Sequence, residues 1–122
     1  MSDNHAFHQT DLPKDLQVLN ISVNMGRISN WIVSLDQLFR DKGVEVYQSR
    51  VNLISKMIVQ TESYLKDLES QNISDGFKNT LSRFKEDFNK INMQTITKDN
   101  QLYWAEKALT WANILQHRAK LA

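Results

Sequence analysis

Apolar residues along this chain recur at alternating steps of four and three, the spacing that places them on one face of an α-helix. Four such stretches follow one another, and short polar segments join them. Alternation at period two, the mark of a strand, is absent. The pattern predicts an all-α fold, an antiparallel four-helix bundle. Its helices are predicted over residues 12–41, 45–69, 75–91 and 98–120.

The first predicted helix changes its apolar face midway. Residues 20–26 contain two Asn, a Gly and two β-branched residues, all weak helix formers. We therefore expect a kink or a break near residues 20–26, and Gly43 is suited to the left-handed position that closes the helix. The later part carries the stripe Ile21, Met25, Ile28, Ile32, Leu35 and Phe39, and the earlier part carries a roughly opposite stripe of Leu12, Leu16, Leu19 and Val23.

The second predicted helix has the most regular pattern of the four. Its apolar positions run from Tyr47 to Leu68 without a lapse, and flanking apolar residues widen the face to about 160°. Because a helix that is apolar over so wide an arc needs neighbours on several sides, we expect it to lie at the centre of the bundle. Ile54, Ile58 and Leu65 are its predicted core residues. The third helix has a narrow aromatic stripe, which predicts a peripheral helix that inserts one edge.

Length and local composition predict a single domain. A chain of 122 residues suits one domain. We expect residues 1–9 to form a disordered N-terminal arm and residues 10–122 to form the helical bundle. The first residues lack the basic and apolar regions of a secretory signal, and no apolar run exceeds four residues. These features predict a soluble, cytoplasmic protein with no membrane partner.

The residues that usually carry catalysis are few and poorly spaced. The chain has no cysteine, which removes thiol nucleophiles, thiolate-bound zinc and disulfides. Its three histidines, His5, His8 and His117, lack metal-ligand spacing, and no Glu-x-x-His motif occurs. Three separated glycines do not make a phosphate-binding loop. We therefore expect a protein that is not an enzyme, with no metal site, no cofactor and no small-molecule substrate.

Two of the predicted helices have more apolar surface than a small bundle needs. The fourth helix has its main face around Ala105, Ala108 and Leu109 and a second apolar side beyond it. Surplus apolar faces usually mark contacts with another protein, so we expect a homodimer or a protein partner. The alternative is that the surplus stripes of the first and fourth helices pack against each other within one monomer. The candidate protein-binding residues are Leu16, Leu19, Tyr103, Ile114 and Leu121.

The favoured functional hypothesis is a small, non-catalytic, regulatory helical protein, acting as an adaptor, regulator or inhibitor through apolar helix faces. Fifteen basic and fourteen acidic residues are dispersed, so a one-signed stripe for nucleic acid is lacking over most of the chain. Only the end of the fourth helix is purely basic, which leaves a nucleic-acid-associated protein as the alternative. The residues of that alternative site are Lys107, His117, Arg118 and Lys120.

Overall fold

The computed structural model describes residues 9–122, which form five α-helices and no strand. The all-α prediction is confirmed, and the helices pack as a four-helix bundle in which α1 and α2 share the place of the first predicted helix. Residues 1–8 of the predicted arm lie outside the described residues. No helix within residues 9–122 combines the length and apolar character needed to cross a membrane. The helices are α1 (Lys14–Val33), α2 (Leu35–Lys42), α3 (Val44–Glu69), α4 (Asp75–Phe88) and α5 (Gln101–Arg118), with short 3-10 turns at Gln9–Asp11 and Ala119–Leu121.

The interruption of the first predicted helix lies at Ser34, and the expected break near residues 20–26 is wrong. Helix α1 runs unbroken through that segment. Ile21 and Met25 are fully buried there, and their packing outweighs the low helix propensity of their neighbours. At Ser34 the hydroxyl donates to the carbonyls of Asn30 and Trp31, and α2 starts at the next residue.

Helix α2 ends at Gly43, as predicted. The backbone φ of Gly43 is +90°, a value that side-chain-bearing residues rarely adopt. Its N–H donates to the carbonyl of Phe39 at 3.0 Å, which closes the last turn of α2. The chain then turns directly into α3.

The central helix is α1, and the expectation that α3 would be central is wrong. Helix α1 packs against both α3 and α5. On α3, Ile54 and Leu65 are buried, but Ile58 is only partly buried and Leu53 is nearly half exposed. The regular pattern of α3 was misleading because α1 also buries polar residues, which interrupt the apolar stripe that marks a buried face. The buried polar residues of α1 are Gln17, Ser22, Asn24 and Ser29.

Each of these buried polar side chains has a hydrogen-bond partner. The hydroxyls of Ser22 and Ser29 donate to backbone carbonyls of α5 at 2.6 Å. The Asn24 amide donates to Gln60 of α3 at 3.1 Å, and the amides of Gln17 and Gln71 bond to each other. Because a buried polar group costs little once it is paired, these residues suit the middle of the bundle.

Helix α4 covers the remaining side of the bundle with one aromatic edge, as predicted. The Phe84 ring stacks on Phe88 at 5.3 Å between centroids and meets Trp111 of α5 edge-on at 5.5 Å. Lys85 forms an ion pair with Glu69 of α3 at 2.6 Å. Helix α4 therefore lies against α5 and α3 through large side chains and a bridging charge pair.

Candidate protein-binding surface

The structure does not bring the five candidate protein-binding residues into one surface. Leu16 of α1, Tyr103 of α5 and Leu121 are each about half exposed, whereas Leu19 and Ile114 are partly buried and pack against the core. The Tyr103 ring contacts its neighbour Trp104 edge-on, with 4.9 Å between centroids, and the Lys107 amino group lies 5.5 Å from its centroid. Ile114 lines a different depression together with residues of α4.

The alternative hypothesis placed the surplus stripes of the first and fourth helices against each other, and α1 does contact the 3-10 turn that holds Leu121. Helices α1 and α5 are in close contact, but the contact runs through Ser22 and Ser29 on α1. Their partners on α5 are the backbone carbonyls of Ala112 and Ala105. The contact thus uses small and polar residues.

A groove runs along the outer side of the α1–α5 contact and has a volume of about 530 Å³. Four aliphatic side chains on its two sides are each between 45% and 57% exposed. Leu16 lies seven residues before one of them, Val23, and so extends the apolar side of α1. The four side chains are Val23 and Val33 from α1 and Leu102 and Leu109 from α5. We call this surface the α1–α5 groove.

The groove is open because small residues hold the two backbones close together. Ser29 and Ala105 are both buried at its floor and joined by a hydrogen bond of 2.6 Å. Gly26 faces the groove, and a Cβ atom added there would meet no atom within 4 Å. The larger aliphatic side chains therefore stand on either side of a crevice that no side chain of the described residues fills.

The groove carries one charge of each sign. Arg27 lines it from α1 and Glu106 lines it from α5. Among residues 9–122, neither side chain takes part in an ion pair. The walls are apolar, and these two residues provide opposite charges on opposite sides.

The four basic residues of the nucleic-acid alternative do not lie on one side of one helix. Lys107 lies 3.8 Å from the Asp87 carboxylate of α4, and the Arg118 guanidinium donates to the Thr80 hydroxyl at 2.9 Å. At about 100° per residue, His117 lies on another side of α5. Lys120 follows in the 3-10 turn, and both side chains are exposed. The structure thus does not assemble a continuous basic stripe from these residues.

Arg118 instead shares a depression with Arg83, a residue that the sequence analysis did not select. The depression has a volume of about 320 Å³ and lies between α4 and α5. Arg83 lies four residues before Asp87, a spacing that would allow an ion pair on α4. The Asp87 carboxylate instead accepts a hydrogen bond from the Trp111 indole at 2.7 Å. A basic residue on the facing helix is a tertiary feature, and no spacing within α5 predicts it.

The groove residues were only partly accessible to sequence analysis. Val23 belongs to the early stripe of the first predicted helix, but Leu109 was assigned to the buried face of the fourth. The spacing of seven between Leu102 and Leu109 places them on one side of α5, and that repeat was the available signal. Their position over α1 depends on how the two helices meet.

No cluster of three or more His, Asp or Glu side chains suited to a metal ion occurs within residues 9–122. Comparisons with protein-family models, with curated proteins and with solved structures found no match to this chain.

Proposed function

We propose that this chain is a small, non-catalytic protein-binding protein, an adaptor, regulator or inhibitor, whose docking site is the α1–α5 groove. The observation that carries the proposal is the cluster of four half-exposed aliphatic side chains around one open groove. Single exposed apolar residues are common on soluble proteins and need no explanation. A contiguous apolar groove with polar groups beside it is typical of a protein contact.

The shape of the groove favours a helical segment of the partner. Helix α1 has 20 residues and is about 30 Å long, and α5 runs antiparallel beside it. An amphipathic helix binds such a groove through apolar residues spaced three, four and seven apart. Arg27 and Glu106 lie on opposite sides and would orient a partner that carries complementary charges.

The proposal is tested by photo-crosslinking in cells that naturally express the chain. A photoreactive amino acid at Leu102 in the groove is compared with the same amino acid at Val59 on α3, which is similarly exposed. We expect a defined protein adduct from position 102 and none from position 59. Mass spectrometry of the adduct shows whether the partner is a different protein or a second copy of this chain.

Substitutions in the groove provide the specificity control. Leu109→Lys places a charge in the docking site and should abolish the adduct at position 102. The matched change Val59→Lys adds the same charge elsewhere and should leave the adduct intact. Equal crosslinking from positions 102 and 59, or an adduct that survives Leu109→Lys, would contradict the proposal.

A further inference from the structure

We infer that the partner that occupies the α1–α5 groove is a second copy of this chain, related by a two-fold axis that runs along the groove. In this arrangement α1 of each copy covers α5 of the other. The inference rests on the proposed function, because it names the occupant of the same surface.

The register between α1 and α5 is the first step. Hydrogen bonds join Ser22 to the backbone of residue 112 and Ser29 to that of residue 105. Since the helices are antiparallel, each step forward along α1 corresponds to one step backward along α5. Residue 27 is therefore level with residue 107, residue 33 with residue 101, and residue 23 with residue 111.

This register places groove residues of matching chemistry at the same level of the two helices. Arg27 is within one residue of the level of Glu106, and Val33 is within one residue of the level of Leu102. Val23 is within two residues of the level of Leu109, an offset of about 3 Å. Each of these residues on one helix is therefore level with a residue on the other helix that would complement it across a contact between two copies.

A two-fold axis parallel to the helices exchanges α1 and α5 between the copies and keeps every residue at its level. Arg27 then faces the partner's Glu106, and Glu106 faces the partner's Arg27, so that one favourable pair occurs twice. Val33 likewise faces the partner's Leu102. An isologous contact is self-complementary in this way.

An axis that crosses the helices fits less well. The groove extends from about residue 23 to residue 33 on α1, so its centre lies beside Arg27. A crossing axis at that centre sets Arg27 against the partner's Arg27, which places like charges together. The charges therefore select the axis that runs along the groove.

The size of the surface is compatible with a dimer. Two helices about 30 Å long and each about 10 Å wide present a face of about 600 Å². A standard stable interface takes about 800 Å² of accessible surface from each partner. The α1–α5 face, together with the neighbouring side of α1 that bears Leu16, approaches that area.

Charge reversal tests the inference on the full chain by sedimentation equilibrium. We expect the wild type to dimerise, and Arg27→Glu or Glu106→Arg alone to raise the dimer dissociation constant about 100-fold, because each creates two repulsive pairs per dimer. The double variant should return to within about tenfold of the wild type. As a control, Arg83→Glu, an exposed reversal on α4, should leave the constant unchanged within about threefold.

The decisive arm mixes the two single variants. Arg27→Glu carries two negative charges in its groove and Glu106→Arg carries two positive charges, so each alone is repelled while the mixed pair has both contacts restored. A heterodimer in the mixture excludes pairing within one monomer, and together with dissociation of each single variant it supports the exchanged arrangement, since single reversals would not weaken a dimer in which Arg27 already faces Arg27. Circular dichroism confirms that each variant is folded. Gly26→Phe, which fills the groove without changing charge, should also dissociate the dimer.

Three results overturn the inference. A wild type that stays monomeric up to about 1 mM shows that a second copy does not occupy the groove. Crosslinking at Leu102 then reports separately whether the groove binds another protein. A dimer that is unaffected by either single reversal places the interface elsewhere. A mixture of the two single variants that fails to associate excludes the exchanged pairing.

Discussion

Helix α5 is packed by two different means on its two sides. Toward α1 the contact is built from small residues such as Ala105 and Ser29, and the backbones lie close together. Toward α4 the contact is aromatic, with Phe84 and Trp111 filling the space between helices whose backbones are further apart. Where α1 and α5 approach closely, their larger side chains lie on either side of a crevice. Between α4 and α5, the aromatic rings themselves fill the space that separates the helices. The candidate docking site consequently lies on the side with the small residues.

The difference also implies an unequal distribution of stability. Large aromatic side chains bury the most apolar area and therefore carry the largest part of the hydrophobic stabilisation. The small-residue side contributes hydrogen bonds and dispersion at short range, each of modest net value. The following substitutions test the two sides in order of decreasing expected effect.

Phe84→Ala should have the largest effect. Phe84 is fully buried and contacts both Phe88 and Trp111, and removal of such a ring costs about 3–5 kcal/mol of the free energy of unfolding. Chemical denaturation measures the change. Phe39→Ala serves as the control. Phe39 is nearly half exposed and its ring meets only Tyr47 edge-on among the aromatic contacts of residues 9–122, so its loss should cost about 1–2 kcal/mol. Equal costs at the two positions would place the core away from the α4–α5 contact.

Ala108→Leu tests whether close approach of α1 and α5 is required. Ala108 has no exposed surface, so three added carbon atoms must displace neighbouring atoms, at a cost of about 1–3 kcal/mol. The matched change Thr110→Leu, at an exposed position of the same helix, should stay within about 0.5 kcal/mol. Denaturant midpoints of the two variants are compared. A neutral Ala108→Leu would show that space remains between α1 and α5.

Ser29→Ala removes one of the hydrogen bonds between α1 and α5. We expect a loss of about 1 kcal/mol, the typical net value of such a bond, which lowers the melting temperature by about 4 °C in a domain of this size. Ser82→Ala, at an exposed position on α4, is the control and should leave the melting temperature unchanged. The prediction fails if both changes have the same effect.

Gly26→Ala should have the smallest effect, and its sign is opposite. Because a Cβ at Gly26 meets no atom within 4 Å, the gain in helix propensity of about 0.5–1 kcal/mol is realised without strain. Gly43→Ala is the control: its φ of +90° is strained for alanine, so that change should destabilise the protein. Thermal melts give both signs. A destabilising Gly26→Ala would mean that the groove is narrower than described.

The sequence predicted the number and nature of the apolar stretches well. Gly43 was identified as a helix end from its residue type, and the edge position of α4 followed from its narrow aromatic stripe around Phe84. The break at Ser34 and the central position of α1 were missed. Both depend on pairing of polar groups in space, since Ser34 bonds to the preceding turn and Ser22 bonds to α5.

The residues that border the α1–α5 groove differ in part from those predicted, and their role in binding stays a prediction. Surplus apolar surface on the first and last helices was expected, and both helices do expose apolar residues in the groove. The particular residues differ, because Ile114 faces the depression shared with α4 and Leu109 faces outward beside α1. A rotation of α5 by a few tens of degrees decides between these alternatives, and residue spacing within one helix does not define it.

The sequence by itself determined that the chain is helical, because hydrophobic period and turn residues act over a few neighbouring positions. Only the tertiary structure decided which helix is central and which apolar residues stay exposed. The reason is that an apolar arc is often wider than the area that a neighbouring helix covers. The burial of that arc depends on the distance between the two helix backbones. Between α1 and α5 that distance is short because the facing residues are small, namely Ser22, Ser29, Ala105 and Ala112. The larger Val23 and Leu109 therefore stay beside an open groove.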